Sequence, residues 1–256
     1  MAQFPAGGNP YKRFADFVRF TSRHVLDETN QHFLRVVVET SQSRKRRMKT
    51  GTRLWRAQID CVPCKRPLTD ESGKNIGSFN HVSPFAPERM KPLADRAYEG
   101  RVNAKGIPCL YLSDDMKTAM TEVRPWIGSY ISVGEFEIGR DLVLVDCSAD
   151  HGLPLLSTPE GTPAERERLE WWAINYAFST PVTRSDDTAD YAPTQVIAEA
   201  FRQDGCDGLI YGSRLGTGRN VAIFDLTAAE LLNRRLYQVE KVEFTFADRT
   251  WEDDDR

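Results

Sequence analysis

Gly100 to Pro125, GRVNAKGIPCLYLSDDMKTAMTEVRP, must form a turn, a short strand and a short helix in immediate succession. Gly100, Asn103 and Gly106 are turn formers around one cation, Arg101. Ile107 to Leu112 then reads as a short apolar strand, stopped by Ser113 and two aspartates. Asp114 and Asp115 stand where the first N–H groups of a helix need acceptors. Met116, Ala119, Met120 and Val123 recur at i, i+3, i+4 and i+7, which defines the buried stripe of that helix. Pro125 ends it. At about 100° per residue Glu122 falls a quarter-turn from the centre of the stripe, on the border between core and solvent, where a carboxylate can line a pocket.

Overall composition excludes several classes of function. A chain of 256 residues with 40% apolar content is long and apolar enough for one large globular domain, or one domain with an accessory segment. A net charge of −3 offers no general attraction to nucleic acid or anionic lipid, so neither is expected as a direct partner. No apolar run approaches the roughly 20 residues needed to cross a bilayer, and MAQFPAGGNPYKRF lacks the apolar centre of a signal peptide. A cytoplasmic location follows as the default expectation. Five cysteines, an odd number, argue against a disulfide framework.

Along the chain, residues 1–50 read as an accessory segment: one or two helices between Tyr11 and Glu39 with an incomplete apolar face, then Arg44-Lys45-Arg46-Arg47 as an exposed basic linker. Residues 51–256 form the main domain. Strands are predicted near 53–58, 107–112, 131–138, 142–147, 208–212, 220–226 and 236–246, and helices near 114–124, 163–178 and 192–204. Strands outnumber helices without alternating with them, so the fold class is α+β, a β-rich core with flanking helices and an N-terminal helical extension. Trp171 and Trp172 on the second of those helices are read as core.

Residues 60–99 are longer than an ordinary connection between strands and read as an irregular insert. Cys61 and Cys64 have half the spacing of a zinc ribbon, but the second half is missing. His81 supplies only a third ligand, so no metal is expected.

The loop, strand and helix from Gly100 closely resemble the signature of the RES domain family, in which GRxNxxG leads to LYL and then to AxxEV. The corresponding residues are Gly100-Arg101-Val102-Asn103 with Gly106, Leu110-Tyr111-Leu112, and Ala119 with Glu122-Val123. Upstream, Arg53-Leu54-Trp55-Arg56 is similar to the family's opening strand. Downstream, Tyr191 to Gln195, Asp207 to Ser213 and Asn220 to Phe224 resemble its closing elements. Val102 and Ala104 stand where tryptophan and proline are common, which puts the packing of that loop in question. Gly216-Thr217-Gly218 is only superficially like a phosphate-cradling turn.

The resemblance implies an ADP-ribosyltransferase-like fold and an NAD-consuming toxin of a bacterial toxin–antitoxin pair. NAD is then a substrate, cleaved at the nicotinamide–ribose bond by hydrolysis or phosphorolysis, and no cofactor is implied. Transfer of ADP-ribose to a protein, or a non-catalytic module that binds NAD or ADP-ribose, are the alternatives. The implied partner is a separate Xre-type antitoxin, and a homodimer is left open. The implied catalytic residues are Arg56, Tyr111, Glu122 and Ser213, with Arg56 as the family's arginine and main anion contact. Arg101, Asn103, Tyr111 and Asn220 are the implied contacts to NAD. Nicotinamide leaves as a neutral molecule, so little acid catalysis is needed. Positive charge builds on the ribose instead, and a carboxylate such as Glu122 stabilises it.

Overall fold

The structure is a computed structural model, described for residues 3–4, 8–93, 95–149, 162–180 and 188–248. Its centre is an eight-stranded sheet in the order β1-β7-β8-β9-β5-β2-β6-β10. The strands are β1 Lys45–Met48, β2 Arg53–Ile59, β5 Leu110–Ser113, β6 Tyr130–Ile138, β7 Leu142–Asp146, β8 Gly208–Gly212, β9 Arg219–Ile223 and β10 Ala229–Gln238. β7 and β8 pair in parallel and every other neighbouring pair is antiparallel. Among the described residues five α-helices accompany it: α1 Pro10–Phe20, α2 Glu28–Ser41, α3 Met116–Glu122, α4 Pro163–Ser179 and α5 Ala192–Gln203. None of the described helices is long and apolar enough to cross a membrane.

Side chains alternate across the sheet, so each face has its own core. On one face Cys109, Val145, Leu209, Tyr211 and Ala222 pack under α4 and α5, with Trp171, Ile174, Phe178 and Phe201 filling the interior. On the other, Leu54, Leu110, Leu112, Leu144 and Val221 pack with Phe85 and Met90. Farther along the first face, α3 covers Ala57, Ile131 and Val133.

Residues 1–50 share the first of these cores. Phe14, Val18, Phe33, Val36 and Val37 belong to one apolar cluster with Trp171, Ile197 and Phe201, so the boundary between residues 50 and 51 has no counterpart in the packing. The basic run expected to be a linker is instead an edge strand. β1 pairs with β7 from Lys45 opposite Val145 to Met48 opposite Leu142. Charged residues suit an edge, because long side chains reach water while the backbone stays paired. Arg44 itself is buried, its guanidinium 4.5 Å from the centre of the Trp171 ring.

The expectation of an irregular insert at 60–99 is also corrected. β3 Val62–Thr69 and β4 Asn75–Ser83 form a separate antiparallel hairpin. Pro63 and Pro67 obscured β3, since proline is excluded from paired interior positions but tolerated on an edge. At the other end, the strand expected over 236–246 lies mostly earlier, at 229–238. Its mixed run of Glu230, Asn233, Arg234 and Arg235 lacks clean alternation because β10 is an edge strand.

One buried carboxylate ties α1 to α4. Glu170 Oε2 accepts the Tyr11 backbone N–H at 2.8 Å, and burial pushes its pKa up from 4.5 to about 7. A carboxyl with a raised folded-state pKa contributes stability that is full below about pH 4.5 and is lost as pH rises through 7. Thermal denaturation at pH 5 to 8 is therefore expected to show wild-type stability declining relative to Glu170→Gln by on the order of 1 to 3 kcal/mol. Parallel pH profiles for the two proteins would refute this.

Candidate active site

Asp115 starts α3 as its cap, accepting the Thr118 amide at 2.7 Å and hydroxyl at 2.8 Å. Asp114 turns instead to Arg219, accepting its backbone N–H at 2.7 Å and Nε–H at 2.8 Å, which joins the helix start to β9. The periodic stripe packs as the sequence predicts: Ala119 is buried, and Met116, Met120 and Val123 lie half-buried against Ala57, Ile131 and Val133. Glu122, the last residue of α3, stands beside that stripe and meets the ends of β8 and β9.

A connected polar cluster surrounds it. Glu122 Oε1 accepts Ser213 Oγ–H at 2.7 Å and Asn220 Nδ2–H at 2.6 Å. Asn220 is held in turn by Ser113, whose hydroxyl donates to Asn220 Oδ1 at 2.8 Å between register partners on β5 and β9. Ser213 Oγ also accepts the backbone N–H groups of Leu215 at 3.1 Å and Gly216 at 3.0 Å. Oε2 of Glu122 accepts no hydrogen bond among the described residues and faces Arg101 Nη2 at 4.0 Å. Arg101 is anchored by donating Nη1–H to the Phe178 carbonyl at 3.0 Å, near the end of α4. With 14% and 17% of their side-chain surfaces exposed, Arg101 and Glu122 are screened from bulk water yet still open to a ligand.

The loop carrying Arg101 is braced from three sides. Tyr111 donates its hydroxyl to Asn103 Oδ1 at 2.6 Å and accepts the Val102 N–H at 3.0 Å. Burial pushes the Tyr111 pKa well above 10, so it remains a donor. Asn103 Nδ2 serves the Tyr98 and Ile107 carbonyls at 2.9 and 2.8 Å, and Gln195 on α5 donates to the Gly100 and Asn103 carbonyls at 2.8 and 3.0 Å. A Cβ on Gly100 would lie 2.6 Å from the Tyr111 hydroxyl, so only glycine permits this closure. Val102, where the family commonly has tryptophan, is buried in the core.

These contacts redistribute the roles expected from the sequence. The polar groups of Asn103 and the Tyr111 hydroxyl are engaged in holding the loop that carries Arg101. Asn220 orients Glu122. Gln195 and Ser113 complete the bracing and were not foreseen as site residues, although Gln195 falls within the Tyr191–Gln195 stretch that resembles the family.

The expectation for Arg56 changes most. Trp55 is the one β2 residue in register with β5, opposite Ser113, and Leu54 packs in the other core. Alternation therefore starts the Arg56 side chain on the Leu54 side of the sheet. Its Nη1 donates to the Tyr111 carbonyl at 3.2 Å across the splayed β2–β5 gap. No hydrogen bond or ion pair links it to Glu122, Ser213 or Asn220 among the described residues, so Arg101 is the arginine of the cluster. Arg56 Nε is buried without a partner among the described residues, and burial lowers the Arg56 pKa. It lines a cleft of about 680 Å³ with Gln58, Arg89, Arg96, Tyr98 and Tyr111, whose hydroxyl braces the Arg101 loop.

Other sequence features resolve differently. The Gly216 and Gly218 turn is no open cradle, because added Cβ atoms would meet Thr118 Oγ1 at 2.5 and 2.9 Å and the Gly218 N–H already donates to that oxygen at 3.0 Å. Trp171 is fully buried, whereas Trp172 is exposed and stacks on Tyr176, which also lies under the Arg214 guanidinium. Cys64 and His81 are register partners on β3 and β4. Among the described residues no group of three metal-ligating side chains comes together, there or elsewhere.

No curated protein sequence matches the chain. A solved structure, the crystal structure of the M. tuberculosis MbcT-MbcA toxin-antitoxin complex, is similar at 14% sequence identity, covering 79% of this chain and 92% of that one with a TM-score of 0.39. The family model of the RES domain matches residues 78–247, which takes in the Arg101 loop, Tyr111, Glu122, Ser213 and Asn220. Because the match spans well over half of the 256 residues and contains the whole cluster, the chain belongs to the RES domain family.

Proposed function

We propose that the protein cleaves the nicotinamide–ribose bond of NAD, with Glu122 as the group that stabilises the reacting sugar. The observation that carries this reading is the division of labour on the carboxylate: Ser213 and Asn220 grip Oε1, and Oε2 is left without a hydrogen bond beside Arg101. A pre-oriented carboxylate of this kind pays no reorganisation cost when charge develops. In the reaction the C1′–N bond breaks, and its electron pair goes to the pyridinium nitrogen, giving neutral nicotinamide. The ribose C1′ becomes cationic next to Oε2. An acceptor O–H then forms the new C1′–O bond and releases its proton. Arg101 binds oxygen atoms of the ribose or of its nearer phosphate and holds the sugar against Glu122. Arg56 and the cationic cleft take the diphosphate on the far side of Tyr111.

Within the RES family this chemistry supports a toxin whose partner is a separate antitoxin of Xre type covering the site. Incubating the protein with NAD, with and without phosphate, and identifying the product by mass spectrometry tests the reading. ADP-ribose identifies hydrolysis, ADP-ribose phosphate identifies phosphorolysis, and modified protein identifies transfer. NAD recovered intact under all conditions would refute cleavage.

Steady-state kinetics should separate the two arginines. Arg101→Ala is expected to lower kcat by on the order of tenfold or more, because its guanidinium lies at the reacting end. Arg56→Ala should mainly raise KM. A kcat loss confined to Arg56→Ala would reverse these roles.

A further inference from the structure

Outside the main sheet, β3 and β4 pair only with each other. A lone two-stranded ribbon is marginal in water, and this one leaves Ile76 65% and Phe79 44% exposed. Its β3 strand and the start of β4 precede the residues matched by the family model at 78–247.

The two edges of the ribbon differ. Pro63 and Pro67 lie four residues apart on β3, so the period of two aims both ring nitrogens the same way. Neither has an N–H to give to β4, and the ladder holds with Val82 and Ser78 as their register partners, so both nitrogens face outward. The outer edge of β3 is thereby blocked against strand addition. Asn75–Ser83 contains no proline, and the backbone groups of Ser78, Asn80 and Val82 face away from β3 without a ladder partner among the described residues.

The chain also carries a strand with no sheet. Beyond β10, Val239 still exchanges hydrogen bonds with Gly128 and Ser129, but residues 240–248 join no ladder. Val242, Phe244 and Phe246 alternate along them as in a half-buried strand, yet Phe244 is 75% and Phe246 89% exposed. The tail and the ribbon start from neighbouring points on β6, since Asp60 at the ribbon's root donates to the Tyr130 carbonyl and Val239 donates to the Ser129 carbonyl. Within one chain no backbone hydrogen bond joins them among the described residues.

We propose that two copies of this chain exchange tails, Val242–Phe246 of each adding as a third strand to the outer edge of β4 in the other. Reciprocal exchange is two-fold symmetric and closed, and the proline-blocked edge of β3 stops it from growing into a fibre. Phe244 and Phe246 would cover the ribbon face shared by Val62, Leu68 and Phe79. Charge agrees: the ribbon strands carry Lys65 and Arg66 and no acidic residue, whereas 240–248 carry Glu240, Glu243 and Asp248 against Lys241.

Sedimentation equilibrium of the full chain at about 100 μM should give twice the 29.1 kDa chain mass. Asn80→Pro, which blocks the open edge, and the double variant Phe244→Asp/Phe246→Asp should each give monomers with wild-type melting curves. Should Asn80→Pro lose its cooperative melt, the tail variant alone decides, because the tail lies outside the packed cores. A monomeric wild type at this concentration, or a dimer that survives the tail variant, would overturn the proposal. The readout is mass, so it is independent of whether NAD is cleaved.

Discussion

Glu122→Gln is expected to fold normally and to release nicotinamide from NAD at least about a hundredfold more slowly than wild type, equivalent to about 3 kcal/mol of transition-state stabilisation. Glutamine matches glutamate in shape, and its Oε1 still accepts from Ser213 and Asn220. Its Nε2 then replaces Oε2 opposite Arg101, putting a donor where the cationic ribose needs negative charge. Stopped-time assays of free nicotinamide, paired with thermal melts, check both halves of this expectation. A wild-type rate from the folded variant would remove Glu122 from the chemistry.

The second large effect concerns the first 50 residues. Were they only an accessory segment, a chain beginning at Lys49 would keep its fold and its chemistry. The packing predicts a harsher outcome. Phe14, Val18, Phe33, Val36 and Val37 are each at most 3% exposed in the cluster that contains Trp171 and Phe201. At about 1.5 to 3 kcal/mol for each side chain, their loss removes roughly 8 to 15 kcal/mol of gross burial. That matches the whole net stability of a typical domain, about 5 to 15 kcal/mol. The truncation also strips β1 from β7 and uncovers Trp171. A protein beginning at Lys49 is therefore expected to lack a cooperative melt and to aggregate on expression. A soluble truncation with a sharp thermal transition would contradict the shared core.

What the sequence made legible was local. The cap at Asp115, the α3 stripe and the border position of Glu122 all depend on residues within one or two turns of each other, where propensity and periodicity act directly. The path of the Arg56 side chain depends on pleat direction and on β2 meeting β5 at only one register position, neither of which is written in the spacing of Arg-Leu-Trp-Arg. β1 was hidden by its charge and β3 by its prolines, both of which are edge-strand features that also resemble loops. Gln195 and Asn220 reach the site across 92 to 98 residues of sequence, and a single chain gives no signal for such pairings beyond the family resemblance.

The central claim is that this constellation breaks the bond between nicotinamide and ribose. Its most direct measurement is a proton NMR time course of the purified full chain with NAD, in which free nicotinamide and NAD have separate resonances. The account predicts that nicotinamide appears at the rate NAD disappears, and that both changes are nearly abolished in Glu122→Gln. NAD signals that broaden on binding but keep their full intensity, with no nicotinamide formed, would contradict it.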